Sequence, residues 1–337
     1  MPEAVVNEVL GLRAALRTSL PAKSLDRNLV IGTWNIRAFG DLADTWSAAP
    51  KDKVKRDRRA LALITEIVSH FDVVAVQEVK GNLRALRHMM KTLGPDWSFT
   101  LTDVTEGSPG NDERLAFVFD TRRVRLSGLA GELVIPDEVL QAAGAGELRK
   151  QFARTPYAVS FLSGGRTFIL VTLHVLWGKV SEDRLPELRG IARWARDWAE
   201  EIASWGQNLI VLGDFNIDRL GDETFEAFAE SGLHPPPELN DVPRTVFAGK
   251  EGGFYDQVAW FEKGGSPLLT LRYTGQAGGF DFVPFVFPEL DRQQVSWRMS
   301  DHLPLWCEFS VVRESDAVSP PPPARSPSSP RGRQPRR

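Results

Sequence analysis

The pentapeptide Ser300-Asp301-His302-Leu303-Pro304 places an acid and an imidazole side by side, directly before the apolar run 305–312. Successive side chains of a regular strand point to opposite faces, so both groups can serve one site only if the pentapeptide is a loop or a strand entry. Pro304 favours this geometry because proline cannot donate to a strand ladder and biases the preceding residues toward extended or turn conformations. A polar turn before a C-terminal strand explains the pentapeptide equally well, so its meaning depends on the rest of the chain.

The composition is that of a globular protein with nearly balanced charge. The chain has 337 residues, and its 41 Lys and Arg against 44 Asp and Glu give a formal net charge of -3. This charge gives no support to nonspecific polyanion binding, although a metal held by clustered carboxylates would reverse the local field at a site. The single cysteine excludes an intramolecular disulfide. The sequence contains no run of about 18 apolar residues, so we predict no membrane span. We therefore expect a cytoplasmic protein, monomeric by default.

Three segments are predicted along the chain. Residues 1–27 mix apolar and charged side chains at roughly helical spacing, which indicates an amphipathic helix added to a catalytic domain over residues 28–313. From residue 314 to residue 337 the composition changes to Pro, Ser and Arg. Such a segment cannot bury enough apolar area to offset the entropy of ordering it, so we predict a disordered tail.

A dense basic group lies at the start of a helix predicted over residues 51–70. Two acids, Asp52 and Asp57, dilute it, so we interpret the group as a solvated helix face and not as a nucleic-acid contact. The basic residues are Lys51, Lys53, Lys55, Arg56, Arg58 and Arg59.

Several predicted strands stay apolar and then end in a side chain suited to a metal or a phosphate. The runs 29–36, 73–79 and 208–212 are apolar on both pleat faces for most of their length, which is typical of strands covered on both sides. Each polar residue that follows has an ordinary explanation as a turn former, a strand end or a satisfied buried group. The whole set is harder to explain that way: Asn35, Glu78, His174, Asp214, Asn216, Asp256, Asp301 and His302.

This inventory permits metal-assisted phosphoester hydrolysis. Mg²⁺ prefers oxygen ligands and usually takes one or two protein carboxylates, so Glu78 is the best single candidate, followed by Asn35 and Asp301. The sequence contains no cysteine cluster and no helical pair of histidines, which disfavours zinc. Nucleotide-binding glycine loops and the Gly-x-Ser-x-Gly motif are also missing from the sequence, which disfavours nucleotide-driven phosphoryl transfer and serine hydrolysis.

Six motifs, taken in order from about residue 28 to residue 312, resemble those of the endonuclease/exonuclease/phosphatase superfamily. The resemblance implies an α/β fold: a four-layer α/β sandwich with two mainly antiparallel sheets packed face to face and helices on both outer faces. It also implies Mg²⁺-dependent phosphoester hydrolysis, with Mn²⁺ or Ca²⁺ as alternative ions. The motifs are Thr33-Trp34-Asn35-Ile36, Val76-Gln77-Glu78-Val79, Thr172-Leu173-His174, Gly213-Asp214-Phe215-Asn216, Tyr255-Asp256-Gln257-Val258 and Ser300-Asp301-His302-Leu303-Pro304.

Two further segments are similar to those of deoxyribonuclease-I-like members. Glu113-Arg114-Leu115-Ala116-Phe117 resembles the segment whose glutamate pairs with the first catalytic histidine, here His174. Arg154-Thr155-Pro156-Tyr157 resembles the segment that bears a phosphate-contacting arginine. The Gly-Asn-Lys-Gly signature of the inositol phosphatase branch is missing, as are the disulfides and secretion signal of secreted deoxyribonucleases. The natural nucleic acid therefore stays open.

The resemblance implies a role for each matched residue. Asp256 orients His302 and stabilises its protonated form, Glu113 holds His174, and Asp214 orients the nucleophile. Which histidine is the acid and which is the base stays open. The roles that the resemblance implies are catalysis for His174, His302, Asp256, Glu113 and Asp214, phosphate binding for Arg154 and Asn216, and metal binding for Glu78, Asn35 and Asp301.

The function expected from these matches is that of a Mg²⁺-dependent DNA endonuclease of deoxyribonuclease-I-like type, acting on nucleic acid. One alternative is a phosphodiesterase or phosphatase acting on a lipid head group or other small phosphoester, and another is a catalytically silent binding module. The loops 46–51, 106–111 and 177–184 carry the specificity in this fold. A basic groove beside the site would favour nucleic acid, whereas an exposed aromatic patch would favour lipid.

Overall fold

The structure is a computed structural model that describes residues 1–49, 51–105, 111–142, 150–203, 208–247, 253–264 and 266–312. The predicted disordered tail, residues 314–337, lies outside these residues.

The helices are α1 (Glu3–Ser19), α2 (Arg58–Val68), α3 (Arg84–Leu93), α4 (Asp137–Ala142), α5 (Leu185–Ala203), α6 (Glu223–Ala229) and α7 (Arg292–Arg298). The strands are β1 (Asn28–Phe39), β2 (Val73–Lys80), β3 (Trp97–Leu101), β4 (Glu113–Asp120), β5 (Arg125–Glu132), β6 (Tyr157–Ser163), β7 (Arg166–His174), β8 (Asn208–Asp214), β9 (Leu233–His234), β10 (Asp256–Lys263), β11 (Ser266–Pro267), β12 (Arg272–Gly279) and β13 (Leu305–Ser310).

These strands form two sheets. The first sheet has the order β12-β13-β1-β2-β4-β3, and the second has the order β11-β10-β8-β7-β6-β5, with β9 beside β10. Each sheet contains one parallel pair, β1 with β2 and β7 with β8, and the other pairings of the described strands are antiparallel. The predicted sandwich of two mainly antiparallel sheets is therefore confirmed.

The side chains of β1 alternate between two layers of the core. Leu29 and Ile31 lie in the apolar cluster between the two sheets, whereas Val30 and Trp34 lie in a cluster that also contains α1, α2 and α3. A third cluster packs α5 and α6 against the outer face of the second sheet. Both faces of each sheet are thus covered, which explains why the strand sequences are apolar without alternation.

The first strand lies beside the last strand of the described chain. Asn28 is opposite Ser310 and Thr33 is opposite Leu305, and β1 lies in the interior of its sheet between β13 and β2. Because β1 and β13 are antiparallel, residues 300–304, which precede β13, lie beside the end of β1. This pairing places the sequence motif 300–304 next to Asn35.

The helix predicted over residues 51–70 is shorter than expected. α2 begins at Arg58, where the Asp57 side chain caps it by accepting a hydrogen bond from the backbone N–H of Ala60. Arg56 is only 4% exposed and donates hydrogen bonds to four backbone carbonyls, so its interpretation as part of a solvated helix face is wrong. A guanidinium has five donors in a fixed fork, which allows it to satisfy several carbonyls at once. These carbonyls belong to Arg37, Ala38, Arg298 and Met299.

The N-terminal helix is present and packs against α2. Leu12 and Leu16 of α1 are buried, and Arg13 donates to both carboxylate oxygens of Glu66 at 2.8 and 2.7 Å. Its status as an addition to a separate catalytic domain stays a prediction. Among the helices described here, none has the length and hydropathy needed to cross a membrane.

Candidate active site

Three neighbouring strands of the second sheet carry predicted catalytic residues at adjacent positions. His174 ends β7, Asp214 ends β8 and Asp256 begins β10. In the backbone register, His174 lies opposite Asp214, and Asp214 lies opposite Asp256. Paired strands are about 4.8 Å apart, so the hydrogen-bonded backbone sets the lateral spacing of these three side chains.

The first sheet contributes His302 from the loop before β13. The Ser300 hydroxyl donates to the carbonyl of Asn35 at 2.6 Å, and the Trp34 indole N–H donates to the carbonyl of His302 at 2.9 Å. Residues 300–304 precede the strand proper, which confirms the predicted strand-entry geometry. These contacts fasten the loop to β1 and fix the backbone from which the imidazole projects.

His302 and Asp256 form a buried pair. Nδ1 of His302 lies 2.6 Å from Oδ2 of Asp256, and the carboxylate is fully buried. Burial by itself would lower the pKa of His302, but the carboxylates of Asp256 and Asp214 outweigh it and raise that pKa well above the usual range. The proton of the pair is therefore held on the imidazole at neutral pH.

Asp214 lies between the two histidines. Its Oδ2 is 3.5 Å from Nε2 of His174 and 3.8 Å from Nε2 of His302. The same oxygen accepts a hydrogen bond from Nδ2 of Asn35 at 2.9 Å, and Oδ1 accepts one from the backbone N–H of Asn216 at 3.0 Å. Burial would raise the pKa of Asp214, but the two histidines and these hydrogen bonds outweigh burial and lower it. Asp214 is thus an ionised carboxylate shared by both imidazoles.

Glu113 is the carboxylate on the other side of His174. Its Oε2 lies 3.1 Å from Nδ1 of His174, but the ring is not aligned for a hydrogen bond. Nε of Arg154 donates to Oε2 at 2.6 Å, and Nζ of Lys80 donates to Oε1 at 2.8 Å. Burial would raise the pKa of Glu113, but His174, Arg154 and Lys80 outweigh it and lower that pKa to about 2. Each histidine therefore has a carboxylate beside Nδ1 and directs Nε2 toward Asp214.

Glu78 occupies an irregularity in the first sheet. The register between β2 and β4 shifts between Val76 and Val79, and Glu78 has a φ of 61°. A non-glycine residue rarely adopts this left-handed conformation, and such strain is concentrated at functional positions. Bulges of this kind re-aim side chains, and the Glu78 carboxylate borders the cavity described below.

Asn35 and Glu78 offer oxygen atoms suited to a divalent cation. Nδ2 of Asn35 donates to Glu78 at 3.1 Å and to Asp214 at 2.9 Å, which fixes the orientation of the amide. Oδ1 of Asn35 is buried and has no hydrogen-bond partner among the residues that the structure describes. A buried acceptor is rarely left unpaired, and carboxylate and amide oxygens are the ligands that Mg²⁺ prefers. The residues present therefore fit a hard divalent cation.

Asp301 is the third predicted metal ligand. It borders the same cavity as Glu78, and its Oδ2 lies 3.3 Å from Nη1 of Arg37. It belongs to neither of the two groups, found in the described part of the chain, whose candidate ligand atoms lie within 4.8 Å of one another. Those groups are Glu78 with Glu113 and His174, and Asp214 with Asp256 and His302. In the first group, Lys80 and Arg154 already neutralise the charge of Glu113. In the second group, Asp256 is already paired with His302.

The structure brings the ten predicted site residues together. Eight of them border one cavity of about 800 Å³: Glu78, Glu113, Arg154, His174, Asp214, Asn216, Asp301 and His302. The other two, Asn35 and Asp256, are buried behind it and contact Glu78 and His302. Asn216 is held more tightly than expected, because its Nδ2 donates to the carbonyl of Val175 at 2.7 Å. One amide hydrogen of Asn216 remains for a phosphate oxygen.

Sequence reasoning missed Glu187, which connects two loops of the site. Its buried carboxylate accepts hydrogen bonds from the backbone N–H of Ala153 at 2.6 Å and of Leu176 at 2.9 Å. It thereby joins the loop that bears Arg154 to the loop that follows His174. Burial raises the pKa of Glu187 against the opposing effect of these hydrogen bonds. An acid in the first turn of a helix is common, so the sequence carried no signal of this role.

Arg244 was also missed, and it supports the pair formed by His302 and Asp256. It is 2% exposed, its backbone carbonyl accepts a hydrogen bond from Leu303 N–H at 2.7 Å, and its Nε donates to the carbonyl of Asp256 at 3.3 Å. Burial lowers the pKa of Arg244 to about 10, against the charge of Asp256. A lone arginine in a loop gave no indication of burial.

Sequence comparison with known proteins finds a matching family and two relatives. The pattern that defines the Endonuclease/Exonuclease/phosphatase family matches residues 32–329. A Thioalkalivibrio protein (strain K90mix) named Deoxyribonuclease is 28% identical over 315 residues, which cover 89% of this chain and 75% of that protein. Human Nocturnin is 23% identical over 335 residues, which cover 90% of this chain and 70% of that protein.

Solved structures with the same fold include two whose chains are covered almost completely. One is an endonuclease/exonuclease/phosphatase family protein from Bacteroides thetaiotaomicron, with a TM-score of 0.54, 17% identity and coverage of 87% of this chain and 98% of that chain. The other is the human Nocturnin catalytic domain with a bound sulfate anion, with a TM-score of 0.55, 17% identity and coverage of 84% and 94%. At these identities the likeness shows the fold alone.

Proposed function

Because the chain belongs to the endonuclease/exonuclease/phosphatase family, whose named activities all hydrolyse phosphate esters, we propose that it is a Mg²⁺-dependent phosphodiesterase that cuts DNA internally. One observation carries this proposal. Two histidines, each with a carboxylate beside Nδ1, direct Nε2 toward the shared Asp214, next to the oxygen donors of Asn35 and Glu78. The similarity to a protein named Deoxyribonuclease supports DNA as the substrate.

In the proposed reaction, the two histidines and Asp214 hold and transfer the protons. Asp214 orients the attacking water as an ionised acceptor. His302 acts in its protonated form, which Asp256 stabilises, and donates its Nε2–H to a phosphate oxygen. The water oxygen bonds to phosphorus as the bond to the leaving oxygen breaks. Asp214 accepts the water proton, and His174, beside Glu113, donates a proton to the leaving oxygen. A positioned group of this kind typically contributes about 100-fold or more to the rate.

Arg154 and a bound Mg²⁺ ion would supply the positive charge that binds the phosphate. Glu78, Asn35 and Asp301 would hold Mg²⁺, and the ion supplies charge that neutralises the oxygens of phosphorus as negative charge develops there. Arg154 has Nε committed to Glu113, which leaves its Nη atoms for phosphate oxygens. Asn216 would contribute its remaining amide hydrogen.

A second candidate function is hydrolysis of a lipid head group or another small phosphoester. The observation that favours it is a set of aromatic side chains, Trp177, Phe247 and Tyr255, at the border of the cavity. Trp177 is 52% exposed and Phe247 is 44% exposed. An exposed aromatic patch beside a phosphoester site suits an apolar neighbour, although aromatic rings also suit nucleobases.

Plasmid nicking tests the proposed function directly. Supercoiled plasmid is incubated with the purified wild-type protein in Mg²⁺ and in EDTA, and with His302→Ala in Mg²⁺. His234→Ala, which alters an exposed histidine on β9, is the matched control. Nicking that requires Mg²⁺, persists in His234→Ala and is lost in His302→Ala is the expected result. If folded wild-type protein neither nicks plasmid nor cleaves a single-stranded oligonucleotide, the nuclease is rejected and the search moves to phospholipids and small phosphoesters.

A further inference from the structure

Trp177 is an exposed aromatic residue with a fixed position next to the catalytic groups. It lies in the loop after β7, shortly beyond His174, and borders the cavity. The guanidinium carbon of Arg184 lies 4.3 Å from the centre of the Trp177 ring, and the Tyr255 ring lies at 67° to the Trp177 ring with the centroids 5.7 Å apart. Since 52% of Trp177 remains exposed, the part of the indole that these two residues leave uncovered is open to a ligand.

Arg184, which supports the indole, is itself buried and fixed. Its Nε donates to the carbonyl of Trp177 at 2.7 Å, and its Nη1 donates to the carbonyl of Asn216 at 2.8 Å and to Oδ1 of Asp218 at 2.7 Å. One guanidinium thus connects the loop of Trp177 to the loop of the predicted phosphate ligand Asn216. A ring held in this way is preorganised, so a ligand that stacks on it does not have to order the side chain.

We propose that Trp177 is a stacking platform for an unpaired nucleobase beside the scissile phosphate, so that the enzyme prefers single-stranded or frayed nucleic acid to a paired duplex. This inference rests on the proposed function. Every base has a π face that can stack on an aromatic side chain, which makes such contacts tolerant of sequence. A base inside a duplex has both faces covered by its neighbours and must leave the stack before it can contact the indole.

The residues that follow Trp177 favour a nucleobase over a membrane as the ligand. Lys179, Ser181, Glu182 and Asp183 are polar and exposed, and Val180 is the only exposed apolar residue among positions 178–183. Binding to a membrane surface requires a contiguous apolar face, which these residues do not form. A single clamped indole surrounded by polar residues matches a planar ligand better than a lipid layer.

The test compares cleavage of a single-stranded oligodeoxynucleotide with cleavage of the same strand in a duplex. In Trp177→Ala and Trp177→Leu, the ratio of kcat/KM for the single strand to that for the duplex should fall at least about fivefold, the lower end of what one base stack contributes. Trp177→Phe keeps a π face and should stay within about twofold of the wild type. Val180→Ala, which truncates an exposed apolar side chain in the same loop, is the matched control and should leave the ratio unchanged.

An abasic nucleotide gives a readout that a purely structural role would not affect. In the wild type, cleavage next to an abasic position should be slower than cleavage next to a normal nucleotide. At the abasic position, Trp177→Ala should cleave as fast as the wild type. An unchanged ratio in Trp177→Ala, with plasmid nicking retained by the wild type, would overturn the stacking inference and leave the nuclease function standing. No cleavage of any nucleic acid by the wild type would overturn both. Cosedimentation of the wild type, but not of Trp177→Ala, with vesicles of phosphatidylserine and phosphatidylcholine would overturn the inference in favour of a membrane contact.

Discussion

Nδ1 of His302 lies 2.6 Å from Oδ2 of Asp256, although His302 precedes a strand of the first sheet and Asp256 begins a strand of the second. The pair can form only when the two sheets have packed together. Because both groups are charged and largely buried, removal of either partner leaves an uncompensated charge, which costs about 3–5 kcal/mol in such settings. Activity and folding are therefore linked at this position, and tests of the site must include a measurement of stability.

The first prediction concerns the two residues with the clearest proposed roles. His302→Ala and Glu78→Ala should each lower kcat at least about 100-fold, since one removes a positioned proton donor and the other a metal ligand. Steady-state kinetics on plasmid or oligonucleotide substrate provide the measurement. Circular dichroism and urea unfolding must show that each variant is folded. Near-normal turnover by a folded variant would reject the role of that residue.

The second prediction is that Mg²⁺ stabilises the folded protein through Asn35 and Glu78. A ligand that binds only the folded state adds about 2.7 kcal/mol when its concentration is 100 times Kd, so saturating Mg²⁺ should raise Tm by at least about 2 °C. Glu78→Gln and Asn35→Ala should abolish this shift. Glu226→Gln, which removes an exposed acid on α6, should keep it. An equal shift in Glu78→Gln would place the ion elsewhere. The measurement does not depend on catalysis.

The third prediction concerns Arg154, which contacts Glu113 at 2.6 Å. Arg154→Ala should lower kcat/KM at least about tenfold, the scale of a hydrogen bond to a charged group, with Arg154→Lys intermediate. Arg154 also helps to hold the pKa of Glu113 at about 2. Without it that pKa rises, so the acid limb of the pH profile of kcat/KM should move to higher pH. An unmoved acid limb together with normal kcat/KM would contradict the assignment.

The fourth prediction tests how α1 is held. Burial would raise the pKa of Glu66, but hydrogen bonds from Arg13 and His70 outweigh it and lower that pKa to about 2. The folded-state pKa lies below the unfolded value, so the stabilisation is present above about pH 4.3 and is lost as pH falls through about 2. Urea unfolding at pH 7, 5 and 3 should show Glu66→Gln to be less stable than the wild type by about 1 kcal/mol at pH 7, with the difference smaller at pH 3. Glu262→Gln, which changes an exposed acid on β10, should show no such difference.

Much of the fold could be predicted because its strands are covered on both faces. The apolar runs at β1, β2 and β8 lead to Asn35, Glu78 and Asp214, so strand ends and site residues were visible in one pattern. Through resemblance, the six motifs then supplied the four-layer sandwich of two mainly antiparallel sheets. Local sequence was sufficient here because each catalytic side chain comes from the end of a regular element.

The missed features depend on contacts between distant parts of the chain. In the sequence Arg56 lies among lysines and arginines. The backbone carbonyls to which its buried guanidinium donates hydrogen bonds come partly from Arg298 and Met299. The left-handed conformation of Glu78 arises from a register shift between β2 and β4, which a single strand sequence does not encode. Glu187 has the position of an ordinary helix-start acid, and its role depends on two loops that precede the helix in the chain.

The pairing of β1 with β13 has a consequence for the newly made protein. Ribosomes deliver the chain from its N-terminus, but β1 occupies the interior of its sheet and stays without one neighbour until residues 305–310 have emerged. His302 also arrives with this last segment. A nascent chain therefore carries an open strand edge that favours aggregation and needs protection, and it holds no assembled active site. Before that segment emerges, the chain lacks His302 and cannot carry out the proposed hydrolysis.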